Sequence, residues 1–214
     1  MKTLSTLFTL FIGISTTFAQ YVEPEKSVKE AEKRKASQVV THPKQKFDSI
    51  QTKNALAIGK GKIQGVAFTR TKNGYGMKVG KKVLANKVLI QLFPVTPYFE
   101  EYYKLWKDKS LNNPKKNKYV YMHNNAYKYR LEAISNSSGE FTFPDMRPGK
   151  YYLWATLNYS LTHKYNRYTG SSYGSYGSRV DYYRPEQYSV GHSDFLELFV
   201  EVKEDGEVVT VKLK

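Results

Sequence analysis

The stretch SNSSGEFTFPDMRPGKYYL, residues 135–153, decides the fold. Gly139 follows Asn136-Ser137-Ser138 and reads as the close of a tight turn, because glycine adopts the backbone angles such turns require. Phe141 and Phe143 then alternate with polar neighbours, the period of a strand with one buried face. Pro148-Gly149 supplies a second turn, expected to be a hairpin, and Tyr151, Leu153, Ala155 and Leu157 follow as another inward row.

Outward from this unit the strand pattern repeats. Residues 62–69 (KIQGVAFT) form one run, and in 87–95 Val88, Ile90 and Leu92 share a side. Residues 127–134 alternate, which puts Tyr127, Tyr129, Leu131 and Ala133 inward. Residues 196–203 and 208–213 are joined by Glu204-Asp205-Gly206-Glu207, where Asp-Gly predicts a hairpin. Seven short half-polar strands without crossover helices predict an all-β antiparallel sandwich.

Gly61-Lys62-Ile63-Gln64-Gly65-Val66 resembles the opening strand of carboxypeptidase regulatory-like domains, and residues 135–153 resemble their G-x-F-x-F…P-G-x-Y-x-L signature. The resemblance covers the strands of residues 56–214 but not two insertions, 96–126 and 158–194. It implies a transthyretin-like Greek-key β-sandwich of seven strands. It also implies a non-catalytic binding or scaffolding role, as for similar modules in exported bacterial envelope proteins such as TonB-dependent receptors.

The chain has 214 residues, 40% hydrophobic and 15% aromatic, enough to bury a core. It has no cysteine, which excludes disulfides, a thiolate nucleophile, Cys-ligated metal centres and a lipoprotein lipobox. Lys2, the short apolar run from Leu4 to Phe18 and Thr17-Phe18-Ala19 read as a signal peptide over 1–19, so we expect an exported protein, periplasmic, surface-associated or extracellular. The apolar run is too short and too rich in hydroxyls to span a bilayer, and no later segment is a transmembrane candidate. Residues 20–55 are charged and thinly apolar, and are expected to be a spacer, partly helical or disordered.

The net charge is +15, and residues 61–95 carry seven Lys or Arg and no acid. Export removes nucleic acid as a partner. Lys78, Lys81 and Lys82 are therefore candidate contacts for an anionic envelope polymer.

In the first insertion Thr96 caps a helix predicted over 97 to about 109, with Pro97 at its first position. Phe99, Tyr102, Tyr103 and Trp106 form one stripe that docks on the sandwich or, with Trp106, meets a partner. Residues 119–122 are expected to pair with 127–131 as a hairpin. The second insertion holds eight Tyr, seven Ser and four Gly in 37 residues and reads as a loop without sustained periodicity. Tyr beside Ser and Gly suits recognition of glycan or protein, so Tyr168, Tyr173, Tyr176, Tyr182 and Tyr183 are candidate binding residues.

No cofactor or metal motif is present. The alternative is a metal-dependent or hydrolytic enzyme using His123, His163, His192, Asp194 and the G-x-S-x-G match at 170–174. It requires three of those metal-ligating groups within about 4 to 5 Å of one point.

Overall fold

The computed structural model describes residues 24–214, so the signal-peptide expectation for 1–19 lies outside the described residues. In chain order the elements are α1 (Pro24–Ala36), β1 (Val39–Thr41), α2 (Ser49–Ala55), β2 (Gly61–Lys72), β3 (Lys78–Leu84), β4 (Leu89–Pro94), α3 (Pro97–Lys107), β5 (Lys118–Val120), α4 (Asn124–Lys128), β6 (Leu131–Ile134), β7 (Glu140–Met146), β8 (Gly149–Tyr173), β9 (Arg179–Val202) and β10 (Val208–Leu213). The protein is mostly β, with largely antiparallel sheets.

In one four-stranded sheet β2 pairs with β10 on one side and with β7 and β3 on the other; a second has the order β6-β4-β8-β9. Their facing residues form one core. Ile63, Phe141, Phe143 and Leu213 come from the first sheet, and Ile90, Leu92, Leu153, Ala155, Leu157, Leu196 and Val202 from the second. The inward rows of β4, β7 and β8 read from sequence hold, since Ile90 is fully buried, Phe143 is 2% exposed and Leu153 is fully buried. Gly139 has φ +76°, and a Cβ there would meet the Ala67 carbonyl oxygen at 2.5 Å, so the turn admits only glycine.

The turns do not make the expected hairpins. At Pro148-Gly149 the chain leaves the first sheet for the second, and the Tyr151 hydroxyl holds the crossing by reaching the Arg147 carbonyl at 2.8 Å and that of Ala55 at 3.0 Å. At Asp205-Gly206 it crosses back, so β10 runs parallel to β2, from Val208↔Lys62 to Leu213↔Ala67, and does not pair with β9. The Asp205 carboxylate accepts the Lys60 N–H at 3.0 Å, and that of Glu207 accepts the Lys203 N–H at 2.6 Å. Turn chemistry reports a reversal of direction, not which sheet the next strand joins.

Two further expectations change. Residues 119–131 are not a hairpin: β5 pairs in parallel with β1, α4 occupies Asn124–Lys128, and the strand begins only at Leu131. The helix puts Ala126 into a second apolar cluster with Phe93, Phe99, Tyr102 and Met122 on the outer face of the second sheet, which leaves Tyr127 outside. Ahead of the sandwich, Pro24–Ala36 and Ser49–Ala55 are helical, and from Val39 onward the segment is docked. Phe47 packs on that same cluster, and the Glu101 carboxylate accepts the N–H groups of Lys44 (3.1 Å) and Gln45 (2.6 Å).

Candidate functional site: a long hairpin arm and the cleft at its base

β8 and β9 run far past the second sheet. β4 pairs with β8 only as far as Ala155, whereas β8 and β9 stay paired out to Tyr173↔Arg179. Residues 158–173 and their partners are thus a two-stranded arm, roughly 50 Å long at about 3.3 Å per residue, with both edges unpaired. The Tyr-rich insertion is therefore a hairpin and not a loop. The period is two: Tyr159, Leu161, His163 and Tyr165 alternate with Asn158, Ser160, Thr162 and Lys164, and Tyr188, Val190 and His192 alternate with Gln187, Ser189 and Gly191.

The register makes this ribbon two-faced. Tyr159 lies opposite His192, Leu161 opposite Val190 and His163 opposite Tyr188, all continuing the core-facing side of Leu157. Tyr159 stacks on His192 with ring centroids 5.2 Å apart, and His163 on Tyr188 at 5.3 Å. The opposite face carries Ser160, Thr162, Ser189 and Gln187 near the base. A bulge between Tyr168 and Gly170 precedes the tip.

There the predicted tyrosines gather. Tyr168 meets Tyr183 edge-on at 5.8 Å, Arg179 lies over Tyr173, Tyr182 is on the other face, and Tyr176 in the turn is fully exposed. The arm's charges are largely paired with one another. Glu186 meets Arg167 (3.4 Å) and Arg184 (3.2 Å) and accepts the Tyr165 hydroxyl (2.6 Å), the interaction that does most to hold its carboxyl below the usual range. Arg179 pairs with Asp181 at 2.7 Å.

The other predicted site residues are not brought to the tip. Lys78 is committed to Asp194, the buried carboxylate at the arm's base. Lys82 lies 4.3 Å from the centroid of the Phe68 ring, and Lys81 stands exposed on β3 beside it. Trp106 sits on α3, which begins as expected, Thr96 accepting the Phe99 N–H at 3.3 Å, and ends at Lys107. Its aromatic stripe docks on the outer face of the second sheet, with Trp106 5.2 Å from Phe195 and Tyr103 4.8 Å from Phe199. Trp106 is thus a packing residue. Its neighbour Lys107 pairs with Glu197.

Beside this docked helix the sheet leaves a cleft of about 560 Å³, lined by Asn86, Lys87, Gln91, Tyr127, Trp154 and Asn158 among others. Composition gives no signal for it, because its residues come from three separate segments, 86–91, Tyr127 and 154–158.

The enzyme alternative lacks its geometry. His123 stacks on His42 at 4.8 Å, while His163 and His192 lie at separate rungs of the arm. Among the described residues no three His, Asp or Glu side chains are placed to hold a metal. Ser172 lies at the end of β8 beside the Tyr182 hydroxyl (3.0 Å), with no helix following it, so the G-x-S-x-G match is not a nucleophile elbow. Among the described residues no helix is long and apolar enough to cross a membrane.

No protein-family model matches the chain, and no curated protein matches it. Among solved structures, it is similar to a crystal structure from Pseudomonas aeruginosa named as a candidate carbohydrate binding protein. The identity is 17% and the TM-score 0.47, over 79% of this chain and 97% of that one.

Proposed function

We propose that this protein is an exported, non-catalytic binding module of the cell envelope, and that the β8–β9 arm is its contact element. One observation carries the reading: past its base, where Tyr159 packs against the core, the roughly 50 Å ribbon has both hydrogen-bonding edges unpaired, and His163, Tyr165 and Tyr188 of its aromatic face stand in solvent. A lone two-stranded hairpin is marginal in water, and free edges invite pairing with another chain. A partner that covers the aromatic face or extends an edge satisfies both. Tyr at the tip, with Ser and Gly around it, suits a glycan or a protein surface. The basic stretch of β3 adds attraction for an anionic polymer, through Lys81 and Lys82 more than through Lys78.

The sandwich that carries the arm is, on this reading, a seven-stranded Greek-key core of the carboxypeptidase regulatory-like, transthyretin-like kind, to which β5 is added by the first insertion, β1 by the N-terminal segment and β3 by the stretch between β2 and β4. The left-handed Gly139 and the burial of Phe141, Phe143, Tyr151 and Leu153 support that kinship. The test is to replace residues 160–190 by a short Gly-Ser turn and compare retention on envelope glycan and envelope protein fractions with the parent. Loss of retention with the melting transition kept supports the reading. Equal retention removes it.

A further inference from the structure

We infer a second binding site, at the foot of the arm and apart from its tyrosine-rich tip: the cleft at Trp154 takes a neutral saccharide. Its size, about 560 Å³, falls within the range of small-molecule sites. Its wall is aromatic and held still. The Trp154 indole N–H donates to the Gln91 side-chain oxygen, and Phe93 and Phe195 meet the ring edge-on at 5.8 and 5.4 Å. The Gln91 amide nitrogen donates to the Tyr127 hydroxyl (3.2 Å) and to Glu132 (3.1 Å), and the Arg130 guanidinium lies 4.2 Å from the centroid of the Tyr127 ring. This network lies in the cleft wall itself and fixes both rings before any ligand arrives.

The rim is of another kind. Asn86, Thr156 and Asn158 line it, are exposed, and make no side-chain hydrogen bond among the described residues. Amide and hydroxyl groups that both donate and accept match the paired hydroxyls of a sugar, and flat rings match its C–H face. Lys87 is the one charged residue of the lining, solvent-exposed, so the cleft has no acid to hold a metal or a cation and little to hold a polyanion. Lys87 also has φ +54°, a left-handed backbone uncommon outside glycine, and the Ser135 carbonyl accepts its N–H at 3.1 Å. Sites where a fold maintains such a conformation are often functional ones.

The test uses the whole protein with cellobiose, maltose and the N-acetylglucosamine disaccharide as probes, followed by saturation-transfer NMR and by tryptophan fluorescence. In a Trp106→Phe background Trp154 is the only tryptophan and reports the cleft directly. We expect a saturable response to at least one sugar. The Asn86→Ala/Asn158→Ala double variant should weaken it about tenfold with an unchanged melting temperature, as for the loss of one or two hydrogen bonds. No saturable response to any of the three sugars overturns the inference, as does an affinity indifferent to Asn86 and Asn158. A response confined to sulfated sugars, and abolished by salt or by Lys87→Ala, also overturns it by marking an anion site. The arm-shortened protein should keep the sugar response while losing envelope retention, so failure of the cleft and failure of the arm are read separately.

Discussion

Lys78 Nζ lies 3.3 Å from Asp194 Oδ2, and the Thr69 hydroxyl donates to the same carboxylate at 2.6 Å. The basic β2–β3 hairpin is thereby fastened to the point where the arm leaves the sheet. Burial works to raise the Asp194 pKa, but the Thr69 hydroxyl and the Lys78 and Lys72 ammonium groups outweigh it and hold the carboxyl below its ordinary value. A carboxylate so depressed stabilises the fold above the ordinary unfolded pKa and loses that contribution as pH falls through the folded one. Asp194→Asn should therefore cost about 2 kcal/mol at neutral pH, as for a buried charged hydrogen bond. Its melting temperature should converge on that of the parent as pH drops below about 4. A gap that is constant across that range would show that the charge is not what matters.

Phe143 is the most direct probe of the shared core. Phe143→Ala removes a buried ring between the two sheets and should cost about 3 to 5 kcal/mol, read by chemical denaturation. An unchanged midpoint would place Phe143 outside the core.

Trp106→Ala separates packing from recognition. The ring packs on Phe195 and neighbours Tyr103, so its loss should cost about 2 kcal/mol, less than a fully buried ring, while retention on envelope fractions stays at the parent level. Lost retention at unchanged stability would return Trp106 to the binding surface.

Limited trypsin digestion tests the docking of residues 39–55. Cleavage is expected in exposed α1, between Lys26 and Lys35, and not at Lys44 or Lys46, where Glu101 holds the adjacent backbone. Glu101→Ala should open the second pair of sites. Early cutting at Lys44 in the parent would restore the free spacer.

Local alternation was a sound guide to what is buried: Phe141, Phe143, Leu153 and Leu196 all lie where the period places them. Which strands pair was not legible, because Pro148-Gly149 and Asp205-Gly206 make the same local turn whether the chain returns beside its neighbour or crosses to the facing sheet. The arm was legible in part. Its composition of Tyr, Ser and Gly suggested a loop, yet Tyr159, Leu161, His163 and Tyr165 carry a strand period that composition hides. The cleft was not legible at all. The Asn86–Gln91 stretch, Tyr127 and Trp154 are far apart in sequence, and alternation points Tyr127 inward whereas helix α4 turns it outward.

Amide hydrogen exchange along the arm tests the central claim most directly. In the isolated protein, amides of residues 160–172 and 180–190 should exchange much faster than those of β2 and β4, since an uncovered two-stranded ribbon opens easily. On addition of solubilised envelope material they should slow markedly while the β2 and β4 amides keep their rates. Arm amides that exchange at the same rate with and without that material, in protein shown to be folded, would contradict the assignment of the arm as the contact element.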